Sequence, residues 1–393
     1  MQPFPSLPTF SDDSFGFLQG CRRYLHQNPE TGFTEHNTSA FIRMVLEQCG
    51  LKPHRIAGTG LYVDIGNPNA SKKVGYRADI DALPIQDLKT VAYASTQVRK
   101  AHLCGHDAHT TIALGIANTL AQCADSLDGM VRIFFQPNEE GSPSGAPMMI
   151  EEGILDGLSA AFALHVDPTL PTGTFGLKTG ASTAACDILR VNILGKKTGH
   201  SARPHETLDT IWVMHQVMNQ LYQMIGRLTD SRNAAILTIC QIFGGDAVNV
   251  IPKKVGFAGT LRMTDPQDVI FLRDFVRKII ENTCELYGAT AEIEHFYGAP
   301  AVINDPELDD VLRETIHQHF SPSAIFNIPR PSMGAEDFSH YGVHIPTYLM
   351  RLGTQNSPET AYHLHDAHFD MDENALPLAV KAMSETLKAY LSR

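Results

Sequence analysis

The chain has no run of lysines and arginines, no low-complexity block, no CxxC pair, and no apolar stretch long enough to cross a bilayer. Each absence removes a class of function. A net charge of −12 with no basic cluster repels phosphate backbones and argues against nucleic acid as a partner. A membrane span needs about twenty consecutive apolar residues, and none of the apolar runs approaches that. The opening MQPFPSLPTFSDD has neither the basic start nor the apolar centre of a secretory signal. These features lead us to expect a cytoplasmic protein with no membrane partner. The seven cysteines are odd in number and scattered singly, so neither a disulfide framework nor a zinc ribbon is indicated. What remains is a chain of 393 residues, 43% hydrophobic and 19% charged, long enough for two domains with sizeable cores.

Periodicity divides the chain. From Ser14 to about Gly50 the pattern is helical, with Phe17, Leu18, Cys21 and Leu25 at helical spacing. Short apolar runs then alternate with helical ones: LYVDIG, KKVGYRADID, VRIFFQ and SAAFALHV read as strands, TTIALGIANTLAQC and APMMIEEGIL as helices. This alternation predicts an α/β domain with a mostly parallel, buried central sheet. Near residue 186 the rhythm changes to strand, long helix, two strands, long helix, strand, which is the split βαββαβ pattern of a compact sandwich. We therefore expect a discontinuous catalytic domain, 1–186 and 298–393, with a smaller satellite domain inserted at 187–297.

Three of the strands, VGYRADID, VRIFFQPNEE and AAFALHVD, start apolar and end in Asp, Glu or His. Ligands of open α/β sheets bind outside the carboxyl ends of the strands, so the repetition predicts a site at that edge. The stretch HLCGHDAHTT sits in the loop before a helix. Cys104 and His106 there have the residue types of a transition-metal site, and the helix N-terminus favours a thiolate. Glu139 and Glu140 follow a buried strand; hydrolysis at a metal needs one carboxylate as ligand and one as base, held side by side. His165 falls at the same edge, and a further ligand could be His363, His365 or His368, among which spacing does not choose. Asp79 could orient a ligand imidazole through its second nitrogen. Glu336-Asp337 is a further acidic pair, equally readable as the first turn of a helix. In the inserted segment, His200, Asn249 and Arg262 could polarise a carbonyl and hold a carboxylate, although spacing alone favours structural roles for them.

Taken together, RRYLHQNPETGFTEHNTS, GYRADIDALPI, HLCGHDAHTT, FQPNEEG, ALHVDP, GHSARPHETLD, GGDAVNVIP, MGAEDFSHY and HLHDAHFDMDE resemble, in order, the metal-dependent amidohydrolases that include hippurate hydrolase, indole-acetyl-amino-acid hydrolase, aminobenzoyl-glutamate hydrolase and N-acetyl-diaminopimelate deacetylase. These are relatives of the aminoacylases and the glutamate carboxypeptidases. The resemblance implies two divalent ions (zinc, manganese, cobalt or nickel) bridged by Cys104 and completed by His106, Glu140, His165 and His365, with Glu139 as general base. It also implies that the satellite carries the contact of a homodimer or higher homo-oligomer. In that arrangement His200 reaches the oxyanion across the interface, and Asn249 and Arg262 meet the substrate carboxylate. Asp79 and Asp107 are left as supporting residues. The chain departs from the family pattern at Asn138, at Asp366-Ala367 and at KKTGHS, none of which removes a ligand or the base.

The function so implied is hydrolysis of N-acyl or N-aroyl amino acids to a carboxylic acid and a free amino acid. Two other readings compete. A metallo-dipeptidase or carboxypeptidase would run the same chemistry on peptides. A non-catalytic metal-binding protein would keep the ligands but have no need of Glu139.

Overall fold

The computed structural model describes residues 4–393; residues 1–3, the first of the N-terminal stretch read above, lie outside the described residues. The chain divides into two compact units. The first comprises the residues up to Gly180, Ile303–Pro329 and Asp337–Arg393; the second is Ala181–Val302 with Arg330–Glu336. The expected satellite at 187–297 lies inside the second.

In the first unit a mixed, mostly parallel sheet runs in the order His54–Ile56, Gly60–Gly66, Met130–Gln136, Lys73–Asp79, Ala160–Pro171, Thr347–Gln355 and Ile303–Asn304. Lys73–Asp79 pairs in parallel with Met130–Gln136 and Ala160–Pro171, and Ala160–Pro171 with Thr347–Gln355; the pairs through Gly60–Gly66 are antiparallel. Parallel strands are covered on both faces and so read as continuous apolar runs. In Met130–Gln136 every residue but Arg132 is buried. The helices Ser14–Gln27, His106–Ala121 and Ala375–Ser392 pack on one another, the last two also against the sheet. His106–Ala121 is buried on nearly every side, which is why, beyond its polar first turn, its sequence is mostly apolar or small rather than striped. The helical pattern over 14–50 is two helices, Ser14–Gln27 and His36–Gln48. Pro29 explains the break: it disfavours helical backbone at Asn28, where the first helix ends.

The second unit has its own core and a four-stranded antiparallel sheet, ordered Ala235–Phe243, Lys254–Met263, Ala185–Leu194, Thr290–Tyr297. Ala185–Leu194 alternates buried and more exposed residues, as a sheet with one face on a core requires. Its helices are Thr210–Leu228, capped by Asp209, and Pro266–Tyr287, capped by Asp265 and stopped by Gly288 at φ +79. Strand, helix, two strands, helix, strand is thus the order found. No helix among the described residues is long and apolar enough to cross a membrane.

Candidate metal centre

The site of the first unit forms where parallel strands end and the His106–Ala121 helix begins. Gly105, at φ +86, lets the chain turn sharply between Cys104 and His106, so that both side chains face the sheet edge. Cys104 Sγ lies 3.5 Å from His165 Nε2 and 3.3 Å from His365 Nε2. His365 Nε2 is in turn 3.3 Å from Glu140 Oε1. His106 Nε2 stands 3.9 Å from Glu139 Oε2 and 4.0 Å from Glu140 Oε1. Two ligand atoms about 2.0–2.3 Å from one tetrahedral ion stand roughly 3.3–3.8 Å apart, which is the spacing of the Cys104–His165, Cys104–His365 and His365–Glu140 pairs; the two His106 pairs are wider. Ligand atoms cluster as Cys104, His106 and His165 and again as Cys104, Glu140 and His365, so the sulfur belongs to both groups.

The hydrogen bonds of the imidazoles decide which nitrogens face the cluster. His106 Nδ1 lies 2.9 Å from the Asp81 carbonyl, and His165 Nδ1 2.8 Å from the Val166 carbonyl. A carbonyl only accepts, so both rings carry a proton on Nδ1 and turn Nε2 inward. Among the described residues His106 Nε2 and Glu140 Oε1 are buried with no hydrogen-bond partner. Orphaned polar atoms of this kind are costly unless something binds them, so the residues present fit a pair of divalent cations. His109 does not compete as a ligand. Its Nδ1 is 2.7 Å from Asp79 Oδ1 and its Nε2 accepts from Val166 N at 3.0 Å, which occupies both nitrogens.

Electrostatics agree with a cation. Burial pushes the Cys104 thiol far above its usual range, and Glu139 and Glu140 add to the effect. Burial alone would lower the His106 pKa, but Asp79 and other neighbours hold it well above the ordinary value. His165 is held well below its ordinary value, by burial first and then by His109 and Arg351, so it stays neutral and ready to ligate.

One supporting assignment changes. The carboxylate behind His106 belongs to Asp81, not to Asp79: Asp81 Oδ1 is 3.3 Å from His106 Nδ1, and its Oδ2 accepts from Glu140 N at 3.1 Å. One side chain thereby ties the His106 and Glu140 loops together. Asp79 ends its strand facing His109 and accepts from Arg77 at 2.6 Å; its Oδ2 lies 3.6 Å from the inner nitrogen of His106. Asp107 points at Arg22 Nε (2.9 Å) and His26 Nδ1 (2.7 Å), not at a ligand imidazole, because the first helical turn rotates it away from His106. Asp337 accepts from Arg77 Nη2 at 2.7 Å and from Gln136, and so braces the strand ends.

Residues that the motifs carried without a role also appear. Glu35 is buried; its Oε1 accepts from Asn138 N at 3.0 Å and its Oε2 from Thr59 at 2.7 Å, fixing the loop that presents Glu139 and Glu140. Asn138 needs that support because its φ is +51. His363, His365 and His368 are all exposed; His368 is taken up by Asp366, and only His365 meets Cys104 and Glu140.

In the second unit His200 is exposed and its Nδ1 accepts from Ala202 N at 3.0 Å, which leaves the proton of the neutral ring on Nε2. Asn249 is exposed, and its carbonyl accepts from Ser201 N. Arg262 donates through Nη1 to the Met333 carbonyl at 2.7 Å.

A family model described as peptidase family M20/M25/M40 matches residues 75–389. The chain is 36% identical over 375 residues to the N-acetyl-L-cysteine deacetylase of Bacillus subtilis (strain 168), covering 95% of this chain and 88% of that one. It is 33% identical over 366 residues to the thermostable carboxypeptidase 2 of Saccharolobus solfataricus, covering 92% of each. Among solved structures, the YxeP protein of Bacillus subtilis, described as a dinuclear metal-binding peptidase, matches with a TM-score of 0.85 at 31% identity over 96% of this chain and 98% of that one. With a family model matching most of its length and relatives of this identity along nearly all of it, the chain belongs to peptidase family M20/M25/M40.

Proposed function

We propose that the protein hydrolyses the amide bond of N-acyl or N-aroyl amino acids, releasing a carboxylic acid and a free amino acid. The observation that carries this reading is the pair of ligand groups sharing Cys104, with a second carboxylate, Glu139, beside them at 3.9 Å from His106 Nε2. Cys104, His106, Glu140, His165 and His365 would hold two divalent ions, zinc, manganese, cobalt or nickel. Bound there, such ions acidify a water and polarise the amide carbonyl. Glu139 takes the proton of the attacking water and passes it to the leaving nitrogen, so one carboxylate serves as base and then as acid. His200 donates its Nε2 proton to the developing oxyanion, a role its exposed, correctly protonated edge supports. Arg262 and Asn249 receive the substrate carboxylate. The reading includes a homodimer or higher homo-oligomer formed through the second unit, with His200 serving the neighbouring subunit. It also includes a cytoplasmic location, in keeping with seven free cysteines.

Relatives differ in what their names say they cleave, an N-acetyl amino acid in one case and a peptide carboxyl end in another. A carboxypeptidase or dipeptidase is therefore the second reading. Metal-reconstituted protein assayed against N-acetyl, N-benzoyl and longer N-acyl amino acids, with dipeptides alongside, separates the two. Glu139→Gln should keep two ions per chain and lose about 10²–10⁴-fold in turnover. Parent-level turnover in that variant would remove Glu139 from the mechanism, and absence of turnover in the parent on every substrate would favour a protein that only binds metal.

A further inference from the structure

We infer that Arg22 is a positioning residue that sets the separation of the two ligand arms, the Cys104–His106 loop and the His365 loop; the inference rests on the metal-site reading above. Arg22 is fully buried on the helix Ser14–Gln27. Its Nε donates to Asp107 at 2.9 Å, its Nη2 to Asp370 at 2.7 Å and its Nη1 to Glu373 at 3.3 Å. Asp107 directly follows His106 and leads the helix His106–Ala121, while Asp370 and Glu373 lie between His365 and the helix Ala375–Ser392. One planar, rigid guanidinium therefore grips the chain behind each arm.

Each carboxylate also has a donor of its own: His26 for Asp107, Tyr93 for Asp370 at 2.8 Å, Arg23 for Glu373 at 2.7 Å. Those partners satisfy one arm at a time. Among the described residues Arg22 alone spans Asp107 and both later carboxylates. A buried ion network is weak evidence for stability, and in some folds such networks serve instead to fix geometry. The geometry fixed here is the one in which Cys104 Sγ and His365 Nε2 stand 3.3 Å apart. Arg22 touches none of the five ligand candidates, so it acts through the backbone that carries them.

The test uses Arg22→Lys, which keeps the charge and loses the fork, and Asp370→Asn, which keeps the shape and loosens the His365 arm alone. Zinc is titrated into metal-free parent and variants against a chelating indicator, and the melting of each metal-free protein is recorded. Both variants should bind two zinc ions, with the weaker constant loosened about 10–100-fold, the cost usual for a residue that orients ligands. Metal-free Asp370→Asn should stay folded and melt a few degrees below the parent, since one charged hydrogen bond is lost from the buried network, while the tighter zinc constant stays at the parent value. Should Arg22→Lys not fold, Asp370→Asn carries the comparison. The inference is overturned if both constants stay within about twofold of the parent, or if both weaken to the same extent, as a general loosening of the fold would cause. A parent that binds fewer than two ions sinks the metal-site reading itself, whereas a parent with two ions and indifferent variants sinks only the role of Arg22.

Discussion

Gly105 joins two ligand candidates through a backbone that an alanine could not adopt for free. At φ +86 a side chain costs about 1–2 kcal/mol. A Cβ built there would lie 2.3 Å from Val166 Cγ2, where carbon contacts settle at about 3.5–4.0 Å. The loop or the His165 strand must then yield by roughly 1.2 Å, and overpacking of that size costs about 1–3 kcal/mol. Gly105→Ala should therefore destabilise the metal-free protein by about 2–5 kcal/mol. The clash term can be isolated. With Val166→Ala the methyl is gone, and the nearest remaining atom of that side chain is Cβ at 3.5 Å, an ordinary contact. In that background Gly105→Ala should cost only the backbone part, about 1–2 kcal/mol, giving a coupling of about 1–3 kcal/mol between two residues far apart in sequence. Urea unfolding of the four proteins, followed by circular dichroism at constant m, measures the cycle. If Gly105→Ala unfolds with the parent, or costs as much with Val166 as without it, the contact between the turn and the strand is not what holds the site.

Metal uptake should release protons. Burial keeps the Cys104 thiol protonated at neutral pH, and the carboxylates around His106 keep its imidazolium, so ligation must displace about two protons per chain and affinity must rise with pH. Calorimetric titration in buffers of different ionisation enthalpy counts them, and a count of zero refutes thiolate ligation. In the second unit the buried Asp187 carboxylate is held by Arg273 (2.7 and 2.8 Å) and His295 (3.1 Å). Burial would raise its pKa, but these bonds outweigh it and keep it below the usual carboxylate value. The contribution is thus full above about pH 4 and fades as pH falls through the depressed value. Asp187→Asn should cost about 2–3 kcal/mol at pH 7 and lose that difference in strong acid; equal urea midpoints of parent and variant at pH 7 would discount the cluster.

The sheet was legible because buried parallel strands and long amphipathic helices write their periods into the sequence, and VRIFFQ or DFVRKII carry that signal locally. Cys104, His106, Glu139 and Glu140 were legible for a similar reason: the loop that holds each pair is short enough for composition to expose it. The choice of His365 over His363 and His368 was not written in spacing. It depends on a left-handed backbone at φ +69 and on a bond from His365 N to the Leu103 carbonyl at 2.8 Å, a contact between loops distant in sequence. Asp79 and Asp81 were indistinguishable for the converse reason. They flank one residue at a strand end, and only the turn after Asp79 decides which carboxylate meets Nδ1 of His106. Arg22 looked like one more polar residue of an amphipathic helix, since nothing local marks an arginine whose three carboxylate partners all lie far along the chain.

Those long-range groups also decide between the two chemistries open to Cys104. A nucleophilic cysteine needs surroundings that stabilise its thiolate, such as a helix N-terminus, a neighbouring cation and some exposure. Cys104 has the helix and His106, but it is 8% exposed and faces Glu139 and Glu140, so burial and charge together disfavour the thiolate. The same two carboxylates, the inward Nε2 atoms of His106 and His165 and the orphaned oxygen of Glu140 are what a dication requires, and a dication at that point reverses the sign of the thiol's environment. A protein selected for thiol chemistry would gain nothing from placing two glutamates there. In the proposed reaction both have a use: Glu140 would hold the ion, and Glu139 beside it would take the proton of the attacking water.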